Sequence, residues 1–207
     1  MMIFGLSTMT EVKNNRLRLV LASSSAYRKA LLEKLVSDFE TASPQFDETL
    51  TTNESVKAAV GRLAQGKAQS LNNRFANSLI IGSDQLAYCD GQILGKPGNH
   101  QNATQQLLSV SGKEVIFYTG LCLLNTQTGQ AQVSVETFHV GFRQLDEAEI
   151  DRYLKKDQPY DCAGSFKCES AGISLFRYMR GDDPNTLVGL PLIRLCEMLR
   201  QEGYALS

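Results

Sequence analysis

Asp84 follows directly on the apolar run SLIIGS at residues 78–83. If that run is a buried strand ending at Asp84 and Gln85, the carboxylate stands at the carboxyl edge of a sheet, where open α/β sheets place ligands. A carboxylate there could ligate a divalent metal or take a proton from water; the alternative is a turn aspartate capping the next element. Asp47 and Glu48, in a loop over 44–52, offer further oxygens, and magnesium-type ions bind through a few carboxylates plus substrate phosphates. Two lysines could neutralise charge developing on a triphosphate: Lys67, among apolar neighbours on a helix face, and Lys96 in a Gly-Lys-Pro turn. Lys67 could instead snorkel to water. The run SSSAYR, Ser23 to Arg28, lies where a buried strand gives way to a helix. Helix N-terminal amides, serine hydroxyls and a bidentate arginine suit phosphate there, against the alternative of a serine cap with Arg28 on the helix surface.

Other chemistries find less support. Ser111-Gly112-Lys113 lacks the GxxxxGK spacing of a P-loop. His100 and His139 have no nucleophile beside them and read as packing or surface residues. Five scattered cysteines form no CxxC pair and read as reduced packing residues. With 21 basic and 22 acidic side chains the net charge is -1, so no broad positive field holds a polymeric nucleic acid. The apolar patch Met1 to Leu6 lacks the charged n-region and long h-region of a secretory signal, and no run approaches the roughly 20 apolar residues of a membrane span. These features predict a cytoplasmic protein without a membrane partner. At 43% hydrophobic and 21% charged, the 207 residues resemble an ordinary globular chain with a sizeable core.

The elements that must position these residues can be read from periodicity. Continuous apolar runs at 17–22 and 78–83 predict strands buried on both faces. A serine-capped helix is expected over 27–36, a short strand over 39–43, and a helix from Asn53 and Glu54 to 74 whose face carries Val60, Leu63, Ala64, Lys67, Ala68 and Leu71. Asp90-Gly91 signals a turn, and a helix over 99–110 is expected to point Leu107 and Leu108 inward. Segments 114–125 and 130–143 predict a β-hairpin, 146–155 an exposed helix, 161–172 irregular chain, 173–179 a strand, and 191–200 a helix begun by Pro191. Early crossovers with a later hairpin imply an α/β fold with a mixed sheet.

In order along the chain, LVLASSSAYRKALLEKL, FDET, RLAQGKAQS, LIIGSDQ, LGKP, FYTGL, CAGSFKCE and NTLVGLPL resemble the Maf family of nucleotide pyrophosphatases, over about residues 17–199. That resemblance implies an inosine-triphosphatase-like fold: a long bent mixed sheet flanked by helices, in one domain of two lobes, 17–207, with the nucleotide in a central cleft. Residues 1–16 would be a flexible N-terminal extension. It implies cleavage of a nucleoside triphosphate to the monophosphate and pyrophosphate with a divalent cation (Mg, Mn or Co). Carried over, Ser23 and Arg28 would hold phosphate, Lys67 and Lys96 would face the triphosphate, and Asp84 would accept a proton. Glu48 and Asp84 would bind the metal, with Asp47 as a further candidate. Gln85 and Glu169 match the branch acting on 7-methylguanosine triphosphate, in which Tyr27 stands where tryptophan is usual and Ala26 where the family usually has proline. A methylated N7 leaves the purine cationic, so Glu169 could accept from its N1 and N2 edge while the Tyr27 ring attracts the charge by about 0.5–2 kcal/mol. The partner would be a small-molecule nucleotide, with a homodimer an open assembly. A pyrimidine (dTTP or UTP) pyrophosphatase and a non-hydrolysing nucleotide-binding regulator of septum formation are the alternatives.

Overall fold

A computed structural model describes residues 17–206, so the extension expected over 1–16 lies outside the described residues. The first apolar run forms β1, Arg18–Ala22, buried except at Arg18. It pairs in parallel with β2, Glu40–Ala42, and with β3, Ser78–Cys89. β4, Gln92–Leu94, folds back on the end of β3 through the expected turn at Asp90 and Gly91, both with positive φ. β5, Glu114–Asn125, and β6, Ala131–Phe142, make the expected antiparallel hairpin, and β7, Phe176–Arg180, lies beside the end of β6. The strand order is β2-β1-β3-β5-β6-β7, with β4 also on β3. The result is the predicted α/β architecture, a seven-stranded mixed sheet flanked by helices.

Helices occupy Ala26–Leu32 (α1), Val56–Gln69 (α2), His100–Val110 (α3), Glu147–Asp157 (α4), Asn185–Val188 (α5) and Leu192–Gln201 (α6). Several boundaries differ from the periodicity. α1 ends at Leu32 because the chain tightens into i to i+3 turns, Lys34 N–H to Leu31 O and Leu35 N–H to Leu32 O. Asn53 has a φ of 65°, outside the helix, and Ser55 caps α2 by accepting from the Ala58 amide at 3.2 Å. Leu107 is fully buried but Leu108 is exposed, since one helical step rotates it away from the Ala103, Leu107, Val110 face. Residues 173–175 belong to a 3-10 turn, Ala171–Leu175, rather than to β7.

The largest correction concerns β3. It does not stop at Ser83 but runs to Cys89, because β5 goes on pairing with it through Asp84↔Gly120 and Gln85↔Thr119. Asp84 therefore lies within a strand, not at its tip.

Buried apolar side chains gather in three clusters. One joins β1 and β3 to α1 and α6 through Leu21, Leu32, Ile81 and Leu195; a second joins the opposite face to α2 through Val20, Ala64, Ala68 and Ile80. The third surrounds Phe117, Phe142, Leu107 and Ile150, under α3 and α4. Two glycines set how closely α2 meets the sheet: a Cβ at Gly82 would lie 2.1 Å from the Ala64 carbonyl oxygen, and one at Gly120 2.0 Å from that of Val60. With nothing wider than a backbone between them, α2 and β3 bring Lys67 against Asp84.

Candidate active site

A cavity of about 600 Å³ opens between the α1 end of the sheet and the third cluster. Ser23, Tyr27, Arg28, Glu48, Lys67, Gln85, Lys96 and Glu169, scattered over 147 positions of sequence (23 to 169), all line it. Asp84 is buried and joined to the wall through Lys67, whose ammonium lies 2.5 Å from Asp84 Oδ1 and 2.8 Å from Glu48 Oε2. Lys67 is thus a buried ion-pair partner, not a snorkelling lysine. Asp47 is the exception among the expected residues: it is exposed, and its Oδ1 accepts from the Thr49 amide at 2.9 Å and the Thr49 hydroxyl at 2.6 Å, which holds its pKa below the usual carboxylate range. That local turn uses Asp47 outside the cavity wall.

The serine turn is built as its residue types dictate. Ser25 caps α1, accepting from the Arg28 amide at 3.4 Å, and the buried Ser23 hydroxyl accepts from the Ser25 amide at 3.1 Å. Arg28 folds inward, donating from Nε to the Gly189 carbonyl at 2.8 Å. Burial draws its pKa down, while the charges of Asp84 and Glu48 oppose that shift. The same Gly189 oxygen accepts the Ser83 hydroxyl at 2.9 Å, and Gly189 itself has a φ of 111°, which an L side chain would resist. Gln85 lies on the other face of β3 from Asp84, donating through Nε2 to Thr119 Oγ1 at 2.9 Å and to the Thr186 and Leu187 carbonyls at 2.8 and 3.2 Å. It fastens α5 to the sheet while its flank faces the cavity. Lys96 is exposed and makes no ion pair among the described residues.

Tyr27, Asp161, Cys162, Cys168 and Glu169 also line the cavity. Burial raises the Tyr27 pKa, helped by Cys162, Asp161 and Glu169. Cys162 and Cys168 correct the expectation that the cysteines only pack: both line the cavity, and all five are free. Burial first, then the neighbouring Asp161, pushes the Cys162 thiol up to about 11; burial and Glu169 push Cys168 up to about 12. Both are protonated at neutral pH and poor nucleophiles. His100, bonded to Tyr160 and paired with Asp151, and His139, paired with Glu114, lie away from the cavity.

Sequence reasoning did not single out Ser83, Asp183 or Gly189. Asp183 accepts from the Asn185 amide at 2.8 Å and, through its second oxygen, from the Ile193 amide at 2.8 Å, so it fixes α5 against α6. An acidic residue just before a proline and a polar helix start is the signal that could have found it.

No group of three or more His, Cys, Asp or Glu able to hold a metal occurs among the described residues. Two carboxylates, Glu48 and Asp84, do converge, both on the Lys67 ammonium. That donor set suits a hard divalent ion completed by water and substrate phosphate, and does not suit a closed protein cage.

Comparison with known proteins bears on the family of the chain. The family described as Maf-like protein matches residues 18–202. The chain is also 55% identical over 186 residues to a 7-methyl-GTP pyrophosphatase of Nitrosococcus oceani, an overlap covering 90% of this chain and 94% of that protein. On both counts, the chain belongs to the Maf family.

Proposed function

We propose that the chain hydrolyses 7-methylguanosine triphosphate to the monophosphate and pyrophosphate, within a cleft between two lobes of a single domain. The observation that carries this reading is the 55% identity to a protein of that activity across nearly its whole length. The polarity of the cavity supports it. Arg28, Lys67, Lys96 and the amide end of α1 offer positive groups for a triphosphate, while Tyr27 and Glu169 offer an aromatic face and a carboxylate for a cationic purine.

In this mechanism Ser23 and Arg28 hold the phosphate chain so that its α-phosphorus faces a water beside Asp84. Asp84 takes the proton as the water oxygen bonds to phosphorus, and the bond from the α-phosphorus to the bridging oxygen breaks, releasing pyrophosphate. Lys67 orients Asp84, and Lys96 neutralises the departing diphosphate. A divalent cation held by Glu48 and Asp84 would add Lewis-acid stabilisation of phosphate charge.

The test is pyrophosphate release by purified protein with magnesium or manganese and a panel of 7-methyl-GTP, GTP, dTTP and UTP. Preference for 7-methyl-GTP, with Asp84→Asn lowering kcat by about 10²-fold or more, is the expected result. Preference for dTTP or UTP would overturn the base assignment. Binding without release would favour a regulator, and near-normal turnover by Asp84→Asn would remove the base.

A further inference from the structure

Lys96 and Glu169 sit on separate loops, and the structure ties those loops to one side chain. Gln106, half-buried on α3, donates from Nε2 to the Gly95 carbonyl at 3.2 Å, next to Lys96. Its Oε1 accepts the Ser165 hydroxyl at 2.5 Å, in the loop that carries Cys162, Cys168 and Glu169. Ser165 has no exposed surface and a φ of 62°, directly after Gly164 at 78°. A serine rarely adopts that left-handed conformation, and a buried hydroxyl needs a partner. Gln106 supplies it. The Gly-Lys-Pro turn has other ties, Asn102 Nδ2 to the Pro97 carbonyl at 2.9 Å and the Gly98 amide to the Tyr160 carbonyl at 2.9 Å, and the second loop has the Lys167 amide on Tyr153 Oη at 3.0 Å. The Gly98 to Tyr160 bond joins the two loops directly through backbone, and Gln106 is the side chain that bonds to both.

We propose that Gln106 is a positioning residue that sets the Lys96 loop against the loop carrying Glu169, both of which line the cavity. The proposal rests on the reading that these two residues meet opposite ends of one nucleotide. Its chemistry is specific, because a carboxamide donates on one side and accepts on the other. Gln106→Glu keeps an acceptor for Ser165 but loses the donor to Gly95, whereas Gln106→Met loses both. The Lys96 loop should therefore loosen in both variants, and the Glu169 loop only in the second.

The experiment uses full-length protein, with amide hydrogen exchange and steady-state kinetics on 7-methyl-GTP and GTP. In Gln106→Met, exchange should quicken at Gly98 and together at Ser165 and Lys167; in Gln106→Glu, at Gly98 alone. Loss of one hydrogen bond corresponds to about a fivefold effect. Gln106→Glu should lower kcat about fivefold and leave the 7-methyl-GTP to GTP preference unchanged, while Gln106→Met should lower both. Identical behaviour of the two variants, or no quickening at either loop, would overturn the proposal. If Gln106→Met does not fold, Gln106→Glu still decides between a one-loop effect and none. Wild-type protein that releases no pyrophosphate from any nucleotide would sink the functional reading instead, and exchange would still judge the link between the loops.

Discussion

Replacing Lys67 by methionine should destabilise the protein through Asp84 rather than through Glu48. The Lys67 and Asp84 side chains are 8% and 10% exposed and 2.5 Å apart, so removal of the ammonium strands a buried carboxylate. Breaking such a pair from one side costs about 3–5 kcal/mol. The Glu48 side chain is 56% exposed, and its share is about 0–1 kcal/mol after solvent screening. Methionine keeps the apolar stem, so the loss measures charge rather than packing. Asp84→Asn should be milder, because Glu48 at 2.8 Å still neutralises the buried ammonium. The double variant leaves neither buried charge and should regain at least about 1 kcal/mol over Lys67→Met. Urea unfolding of the wild type, both single variants and the double variant closes the cycle. Strict additivity, or a Lys67→Met midpoint equal to that of the wild type, would refute the coupling on which the orientation of Asp84 depends.

Two further outcomes follow from the packing. Gly82→Ala places a methyl 2.1 Å from the Ala64 carbonyl oxygen, so α2 must retreat from the sheet; thermodynamic stability should fall by about 1–3 kcal/mol in urea unfolding, and turnover should fall with it as Lys67 withdraws. Glu114 accepts from the Tyr178 hydroxyl at 2.7 Å, pairs with His139 at 3.1 Å, and lies 3.5 Å from Arg180, contacts that hold its pKa below the ordinary 4.5. Its folded pKa being depressed, the stabilisation it gives is present above the unfolded value and lost as pH falls through the lower folded one. The melting temperature of Glu114→Gln should therefore decline less steeply than that of the wild type between about pH 5 and about pH 3.

What could be read in the sequence was whatever depends on local pattern. β1 and the hairpin of β5 and β6 were legible because unbroken apolar runs and β-branched segments have few other solutions. The cavity residues were legible as types, and all but Asp47 now line the wall or, like Asp84, attach directly to it. Asp47 lies off the wall, where its side chain bonds two residues along the chain. The continuation of β3 was hidden because a polar residue looks like a strand end when its antiparallel partner is unknown. The place of Cys162 and Cys168 on the cavity is not legible locally, because exposure to a cavity depends on contacts far apart in sequence, such as the 3.9 Å approach of Cys162 Sγ to Tyr27 Oη. α5 escaped notice since four residues carry no periodicity, and its order comes from Asp183 and Gln85.

The location of the cavity follows from the two edges of β3. On one edge β5 pairs with β3 along nearly its whole length. On the other, β1 stops at the Ala22↔Gly82 pair and pairing with β4 starts only at Ala87↔Leu94, which leaves residues 83–86 without a strand on that side. The chain leaving β1 turns at that gap through Ser23 and Ser25 into α1, so a helix N-terminus and Arg28 stand where a strand would otherwise continue. Strand alternation then divides the labour within the gap: Asp84 turns to Lys67 on α2, while Ser83 and Gln85 turn to the carbonyls of α5 and Gly189. Three consecutive residues thus fasten the elements on both faces of the sheet, which is why moving Asp84 by a single register step would exchange its lysine for carbonyl oxygens and abolish the site.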